Sequence, residues 1–66
     1  MKNNLKVERA IKNITQEDLA TVIGVSRQAV NSIELGKYVP STVLALKLSK
    51  FFNKPVNDIF FLEETD

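Results

Sequence analysis

Signals that start and stop helices recur at short intervals along this chain, and they constrain its fold more than any other feature. Thr15, Ser26 and Ser41 each precede a stretch of helix-forming residues, where a hydroxyl oxygen can accept a hydrogen bond from a backbone amide that has no helical partner. Gly24 and Gly36 each follow such a stretch, and glycine tolerates the left-handed conformation that ends many helices. The sequence therefore predicts a bundle of short helices.

Apolar residues at helical spacing fill the segments between these signals. Asp18 stands three residues after Thr15, which is a variant of the capping box. Leu44, Leu48 and Phe51 form the apolar stripe of the fourth segment. We expect helices over residues 5–11, from residue 16 to the stop at residue 24, from 27 to about 35, from the cap at 41 to about 52, and from 56 to about 60.

The composition limits the classes of function that are open to the chain. Its 66 residues, 44% of them apolar, can form one domain near the lower size limit for folding alone. The absence of cysteine and histidine removes disulfides, the commonest metal ligands and the usual general base near neutral pH. We therefore expect no enzymatic activity, no cofactor and no metal, with an enzyme built on carboxylates alone as the remaining catalytic alternative. No apolar run approaches the roughly 18 to 20 residues that span a bilayer, and no signal peptide opens the chain, so we expect a cytoplasmic protein without membrane insertion.

The charges are distributed unevenly. Residues 1–54 contain nine basic and four acidic residues, a net charge of +5, whereas residues 55–66 contain four acidic residues and no basic one, a net charge of −4. A basic body with an acidic end indicates a polyanionic partner on one side of the molecule. Chance in so short a chain is the alternative explanation.

The third predicted helix has two different sides. At about 100° per residue, Ala29, Val30 and Ile33 gather on one arc, which we expect to face the core. The opposite arc, called the polar arc below, carries residue types that match base edges: Gln and Asn can pair with adenine, Arg with guanine, and Ser can donate or accept. A solvated helix surface has the same composition, so composition alone leaves both interpretations open. The polar arc consists of Arg27, Gln28, Asn31 and Ser32.

Two short helices joined by a tight turn, the second with a polar outer side, form a helix-turn-helix, whose second helix enters the major groove of DNA. The segment TQEDLATVIGVSRQAVNSIELGKYVP, residues 15–40, resembles the phage-repressor and Cro-like group, also called Xre-type regulators. The resemblance lies in the TQ start, the small Ala20 where the two helices pack closely, the turn residue Gly24, and the IE-x-GK pattern followed by Pro40. It extends over about residues 5–62 and points to the small stand-alone regulators of the group.

The resemblance implies an all-α, five-helix, lambda-repressor-like DNA-binding domain over residues 1–66, with its helix-turn-helix core at about 16–35. It implies that the polar arc reads bases, and that Arg9 and Glu34 form a structural ion pair between the first and third helices. Leu35 stands where relatives often have an asparagine that contacts phosphate, a departure that leaves this contact without its usual residue. The residues implied to bind the DNA phosphates are Gln16, Lys37 and Tyr38.

Ile59, Phe60, Phe61 and Leu62 form an unbroken apolar run near the end of the chain. Periodicity does not decide whether this run ends a helix or forms a short terminal β-strand. At least one of Ile59 and Phe60 should complete the core of the monomer, but a chain this small has little room inside for four consecutive apolar residues. We therefore expect residues 55–66 to form a dimerisation segment, with these four residues at the contact of a two-fold homodimer.

Together these features predict a sequence-specific transcriptional regulator, and more specifically a repressor, that binds an inverted repeat in double-stranded DNA as a homodimer. The alternative is a protein-interaction module or antitoxin-like regulator whose main partner is another protein. The acidic and apolar end of the chain favours that alternative, and the sequence does not identify such a regulatory partner.

Overall fold

The computed structural model describes all 66 residues and shows five helices and one pair of short strands. The predicted five-helix architecture is confirmed, with each helix boundary within one residue of its expected position. None of these helices is long and apolar enough to cross a membrane. In chain order the elements are β1 (Lys2–Asn3), α1 (Leu5–Lys12), α2 (Gln16–Ile23), α3 (Arg27–Glu34), α4 (Thr42–Phe52), α5 (Val56–Ile59) and β2 (Phe60–Phe61).

Side-chain caps fix the starts of the three central helices. At α2, Thr15 Oγ1 accepts from the Asp18 amide and Asp18 Oδ2 accepts from the Thr15 amide, both at 3.0 Å, which completes the predicted capping box. The predicted serine caps of α3 and α4 also accept a backbone amide. Asn13 and Asn53 end α1 and α4 in the left-handed conformation, with φ of 55° and 54°, a role in which asparagine commonly replaces glycine.

One core of eleven apolar side chains joins all five helices. In α4 the structure buries Phe52 together with Leu44 and Leu48, whereas Phe51 is only half-buried and packs its ring edge-on against Phe52. The predicted stripe holds for Leu44 and Leu48, and Phe51 packs at the edge of the core, but the prediction missed Phe52 as the buried aromatic residue of this helix. Phe51 and Phe52 follow Leu48 by three and four residues, so on a helix of 3.6 residues per turn both lie next to the side of α4 that Leu48 occupies. Packing against the other helices decides which of them is buried. The buried set is Leu5, Leu19, Ala20, Ile23, Val30, Ile33, Leu44, Leu48, Phe52, Ile59 and Phe60.

The apolar run near the end of the chain divides between the core and the surface. β2 pairs antiparallel with β1, with Asn3 opposite Phe60 and Lys2 opposite Phe61. Successive side chains of a strand point to opposite faces, so Phe60 is buried and Phe61 is 38% exposed. The predicted terminal strand is thus present. As a correction to the predicted dimer contact, Ile59 and Phe60 lie in the core of the monomer, which leaves Phe61 and Leu62 at the surface.

The acidic end of the chain folds back onto the amino terminus. The Met1 amine lies 3.3 Å from Glu63 Oε1 and 3.2 Å from Asp66 Oδ1. Hydrogen bonds with Asp66 and Glu63 raise the pKa of this amine above its ordinary value. Part of the negative charge of the tail is therefore paired within the chain.

Candidate nucleic-acid interface

A turn of three residues, Gly24, Val25 and Ser26, joins α2 to α3. Gly24 has φ +76°, a conformation that a residue without Cβ adopts at little cost. The carbonyl oxygen of Ala20 accepts from the amides of Gly24 and Val25 at 2.9 and 3.0 Å, and Ala20 itself is buried. Ser26 Oγ then accepts from the amide of Ala29 at 3.1 Å and starts α3. The two short helices and their turn form a helix-turn-helix.

The outer side of α3 differs between its two turns. Val30 and Ile33 are buried and Ala29 is half-buried, as the helical rotation predicts. Arg27 and Gln28, in the first turn, are exposed, whereas the two polar residues of the second turn are half-buried. The amino-terminal half of the polar arc is therefore the more accessible half.

Four predicted site residues line one shallow depression beside α3. Gln28 and Ser32 come from the helix, Lys37 and Tyr38 come from the loop that follows, and the depression has a volume of about 320 Å³. The Ser32 carbonyl oxygen accepts from the amides of Lys37 at 2.9 Å and Tyr38 at 3.2 Å. These two bonds fold the loop back against the end of α3, so Lys37 and Tyr38 lie next to the polar arc.

A second shallow depression, of about 420 Å³, lies between the end of α1 and the starts of α2 and α3, and Arg9, Gln16 and Arg27 line it. The backbone amides of Gln16 and Glu17 donate no hydrogen bond to a backbone oxygen, as is usual for the first residues of a helix. They lie at the positive end of the α2 dipole. Glu17 and Asp18 place negative charge beside these amides. The start of α2 therefore attracts a phosphate less than a helix start without acidic residues would.

Arg9 and Glu34 form a two-point ion pair between α1 and α3. Arg9 Nε lies 2.6 Å from Glu34 Oε2, Arg9 Nη2 lies 3.1 Å from Glu34 Oε1, and Nη1 donates to the carbonyl oxygen of Ile14 at 3.0 Å. Burial raises the pKa of Glu34, but hydrogen bonds from Arg9 and Gln16 and the attraction of Arg9 and Lys6 outweigh it, so this pKa lies below its ordinary value. The pair holds α3 against α1 and the loop that follows α1.

Gln16 is connected to this ion pair. Its Nε2 donates to Glu34 Oε1 and to Asn31 Oδ1, each at 3.1 Å. An amide nitrogen carries two hydrogens, so both donors of the side chain are occupied. Phosphate binding by this side chain, which the resemblance implies, requires that one of these bonds be given up. The contact with Asn31 was not foreseen from the sequence, because no spacing rule relates two residues on crossing helices.

Leu35, the departure from the family pattern, lies just beyond the end of α3. Its side chain is 60% exposed and offers no hydrogen-bond donor to a phosphate. It lines a cleft of about 420 Å³ together with Phe61 and Glu63 from the end of the chain. Leu35 therefore adds an apolar side chain to the surface around the terminal strands.

Comparison with known proteins agrees with this geometry. A helix-turn-helix family model matches residues 5–59. Over all 66 residues of both chains, the protein is 54% identical to an uncharacterized HTH-type transcriptional regulator of Methanocaldococcus jannaschii. It is 50% identical to the uncharacterized HTH-type transcriptional regulator YgzD of Bacillus subtilis over 97% of each chain. A third such regulator, from Archaeoglobus fulgidus, is 42% identical over the whole of this chain and 93% of its own length.

The fold, the turn and the polar arc define a helix-turn-helix protein, and the family match and the relatives identify the subgroup. The chain belongs to the Xre-like helix-turn-helix family of transcriptional regulators. DNA-binding regulation of transcription is the activity that this membership supports.

Proposed function

We propose that this chain is a sequence-specific repressor that acts in the cytoplasm and binds an inverted-repeat operator as a homodimer, with α3 in the major groove of each half-site. The observation that carries the proposal is the exposed first turn of α3. Recognition helices contact base edges with their amino-terminal residues, and Arg27 and Gln28 occupy that place with exposed side chains. Their donors and acceptors match guanine and adenine edges. Ser32 contributes a third polar group to the same depression as Gln28.

Phosphate contacts would lie on both sides of these base-reading residues. Lys37 and Tyr38 flank the depression on the carboxyl-terminal side of α3. The backbone amides of Gln16 and Glu17, at the start of α2, provide the contacts on the other side. Contacts on both flanks fix the register of a helix in the groove without reading sequence themselves. In this arrangement Gln16 contributes its backbone amide, because its side-chain donors are bound within the chain.

Dimerisation would use the surface around the terminal strands. Phe61 and Leu62 are 38% and 83% exposed there, and Leu35 lines the adjoining cleft. The sheet has only two strands, so the outer edges of β1 and β2 have backbone groups to offer to a second copy. A contact between identical surfaces generates the two-fold symmetry that an inverted repeat requires. The two copies of α3 would then lie one helical turn apart, roughly 34 to 36 Å.

Selection of bound DNA from a random pool tests partner, symmetry and spacing together. We expect enrichment of an inverted repeat whose half-site centres are separated by one helical turn. Enrichment of no sequence would contradict base reading, and enrichment of a single half-site would contradict the homodimer. Placed over a promoter, the selected operator should lower reporter expression when the protein is present. Higher expression would mean that the protein is an activator.

Gln28→Ala tests base reading by the exposed first turn. We expect it to cost about 1–3 kcal/mol of binding free energy on the selected operator and to relax preference at one or two base pairs. Titrations of the selected operator and of a scrambled sequence provide the measurement. Equal losses of affinity for both would show that Gln28 makes no sequence-specific contact.

Phe61→Glu tests the dimer surface, and Val43→Glu is its matched control because Val43 is an exposed apolar residue on α4 that does not line the cleft of Leu35 and Phe61. Light scattering should give a monomer for Phe61→Glu at micromolar concentration and a dimer for Val43→Glu. Operator affinity should fall in parallel with the loss of the dimer. A Phe61→Glu variant that remains dimeric would place the contact elsewhere. Wild-type protein that is monomeric and is recovered from extract with another protein would support the protein-interaction alternative.

A further inference from the structure

The side chain of Gln16 links the ion pair under α3 to the polar arc of α3. Its Nε2 lies 3.1 Å from Glu34 Oε1 and 3.1 Å from Asn31 Oδ1. Arg9 holds the same Glu34 carboxylate from the other side through two nitrogens. Four side chains on three helices thus form one continuous hydrogen-bonded chain from α1 to the outer surface.

The direction of every hydrogen bond in this chain is set by Glu34. An ionised carboxylate only accepts hydrogen bonds, so the end of the Gln16 amide that faces Glu34 must be its nitrogen. The same nitrogen faces Asn31, so Asn31 must turn its oxygen toward α2. The Glu34 carboxylate therefore determines, through Gln16, the orientation of the Asn31 amide, although Glu34 and Asn31 share no hydrogen bond.

The nitrogen of Asn31 is left on the outer side. Nδ2 donates to no group within the chain, yet no side-chain nitrogen or oxygen is both buried and without a partner. Nδ2 therefore reaches solvent on the polar arc of α3. Both N–H donors of Asn31 are therefore left without a partner within the chain, and its acceptor oxygen is turned toward Gln16.

We propose that Gln16 is a positioning residue for specificity, which fixes Asn31 as a donor-only reader of the major groove. Guanine offers two acceptors there, O6 and N7, whereas adenine offers one acceptor beside an amino donor, so an asparagine that pairs with adenine through two bonds must donate and accept at once. Held by Gln16, Asn31 can donate to both acceptors of guanine but to only one atom of adenine or thymine and to none of cytosine, so it prefers guanine on the strand that it contacts. This inference rests on the proposed binding of DNA by α3.

The first experiment locates the base and measures the preference. Asn31→Ala, titrated against operators that carry each base in turn, identifies the position at which the preference depends on Asn31. At that position we expect wild-type protein to bind guanine about tenfold more tightly than adenine, the ratio that one well-placed base contact provides. A wild-type preference for adenine there, or an Asn31→Ala variant with unchanged preferences at every position, would overturn the inference.

Gln16→Met then removes the donor and keeps the length of the side chain. Asn31 becomes able to rotate and to pair with adenine, so the ratio should fall to within about twofold of unity. Gln28→Met is the matched control: it should change preference at a different base pair and leave the ratio at the Asn31 position unaltered. If Gln16→Met keeps the wild-type ratio of affinities at the Asn31 position, Gln16 does not orient Asn31.

A measurement on wild-type protein makes the test independent of any variant. Replacing adenine at the Asn31 position by 2-aminopurine removes the N6 amino group. If Asn31 presents only donors, the two operators should bind equally well, within about twofold, because no acceptor faces that group. A loss of about tenfold would mean that the oxygen of Asn31 accepts from adenine and would refute the inference. Failure of the protein to discriminate among any DNA sequences would instead overturn the proposed function itself.

Discussion

Glu8 and Glu34 are equally buried carboxylates, with side chains 7% and 6% exposed, but the fold uses them differently. Glu8 on α1 accepts one hydrogen bond, at 2.7 Å, from Lys54, whose own side chain is 42% exposed. Glu34 on α3 accepts from two nitrogens of Arg9, which is only 15% exposed, and from Gln16. The first pair ties α1 to the loop after α4. The second pair holds the helix that we propose to read DNA.

The difference between the two cations explains the difference between the two sites. A guanidinium is a planar fork that fixes the orientation of the carboxylate that it binds, whereas an ammonium is a point charge on a flexible stem. Only a carboxylate of fixed orientation can in turn orient Gln16. The comparison teaches that burial alone does not make an ion pair important for function, because the geometry of the partner decides what the pair can position.

The largest effect should come from Arg9→Met, which leaves the Glu34 carboxylate buried without its cation. We expect a loss of about 3–5 kcal/mol in the free energy of unfolding, the usual cost of breaking a buried pair by removing one partner. Urea denaturation followed by circular dichroism provides the measurement. The double variant Arg9→Met/Glu34→Met should recover most of the stability, since no unpaired charge remains. A single variant as stable as wild type would show that the pair is not a structural anchor.

Acidification should have a smaller effect through Glu34, because a protonated carboxyl loses its charge but remains in place. Burial raises the pKa of Glu34, but the hydrogen bonds from Arg9 and Gln16 and the nearby positive charges lower it by more than burial raises it. The pKa of Glu34 in the folded protein therefore lies below the ordinary value of 4.5. A depressed folded pKa contributes stability that is present above 4.5 and is lost as the pH falls through the folded value.

The control for this pH dependence is Glu34→Gln, which has no carboxylate at this position. Wild type and Glu34→Gln should therefore converge in unfolding free energy as the pH is lowered below 4.5. Asp18 and Asp66 also have lowered pKa values, and they contribute equally to both proteins. A constant difference between the two proteins from pH 7 to pH 3 would contradict a depressed pKa for Glu34.

The smallest effect should come from Lys54→Met, which removes the partner of Glu8. Because the side chain of Lys54 is 42% exposed and solvent weakens such a pair, we expect a loss of only about 1 kcal/mol in unfolding free energy and no change in operator affinity. Lys50→Met, at an exposed lysine on α4, provides the baseline for removing a positive charge. If Lys54→Met destabilised the protein as strongly as Arg9→Met, the contrast between the two pairs would disappear.

The sequence predicts the helices well because their signals are local. Thr15 and Gly24 each fix the backbone next to them, and the structure has α2 between them. The choice between Phe51 and Phe52 in α4 could not be made in this way, because both lie near the apolar stripe and only contacts with other helices distinguish them. The link from Gln16 to Asn31 was likewise beyond prediction, since it depends on how α2 crosses α3.

The end of the chain shows a second kind of limit. The sequence left open whether the apolar run from residue 59 continues a helix or forms a strand. The structure ends α5 at Ile59 and starts β2 at Phe60, so the alternation of a strand, rather than the rotation of a helix, decides which side chains are buried. For this reason Phe60 is buried and Phe61 is not, whereas Ile59 is buried as the last residue of α5.

The start of α3 separates what the helix needs for folding from what it shows to the outside. The Ser26 cap and the buried Val30 secure the helix, whereas the neighbouring Arg27 and Gln28 are exposed. Operator preference at these two positions can therefore be redesigned by single substitutions that leave the fold unchanged. Asn31 cannot be replaced so independently, because a new residue there must also suit Gln16. For protein engineering, the first turn of α3 is a site for single-residue libraries, whereas Asn31 and Gln16 need to be randomised as a pair.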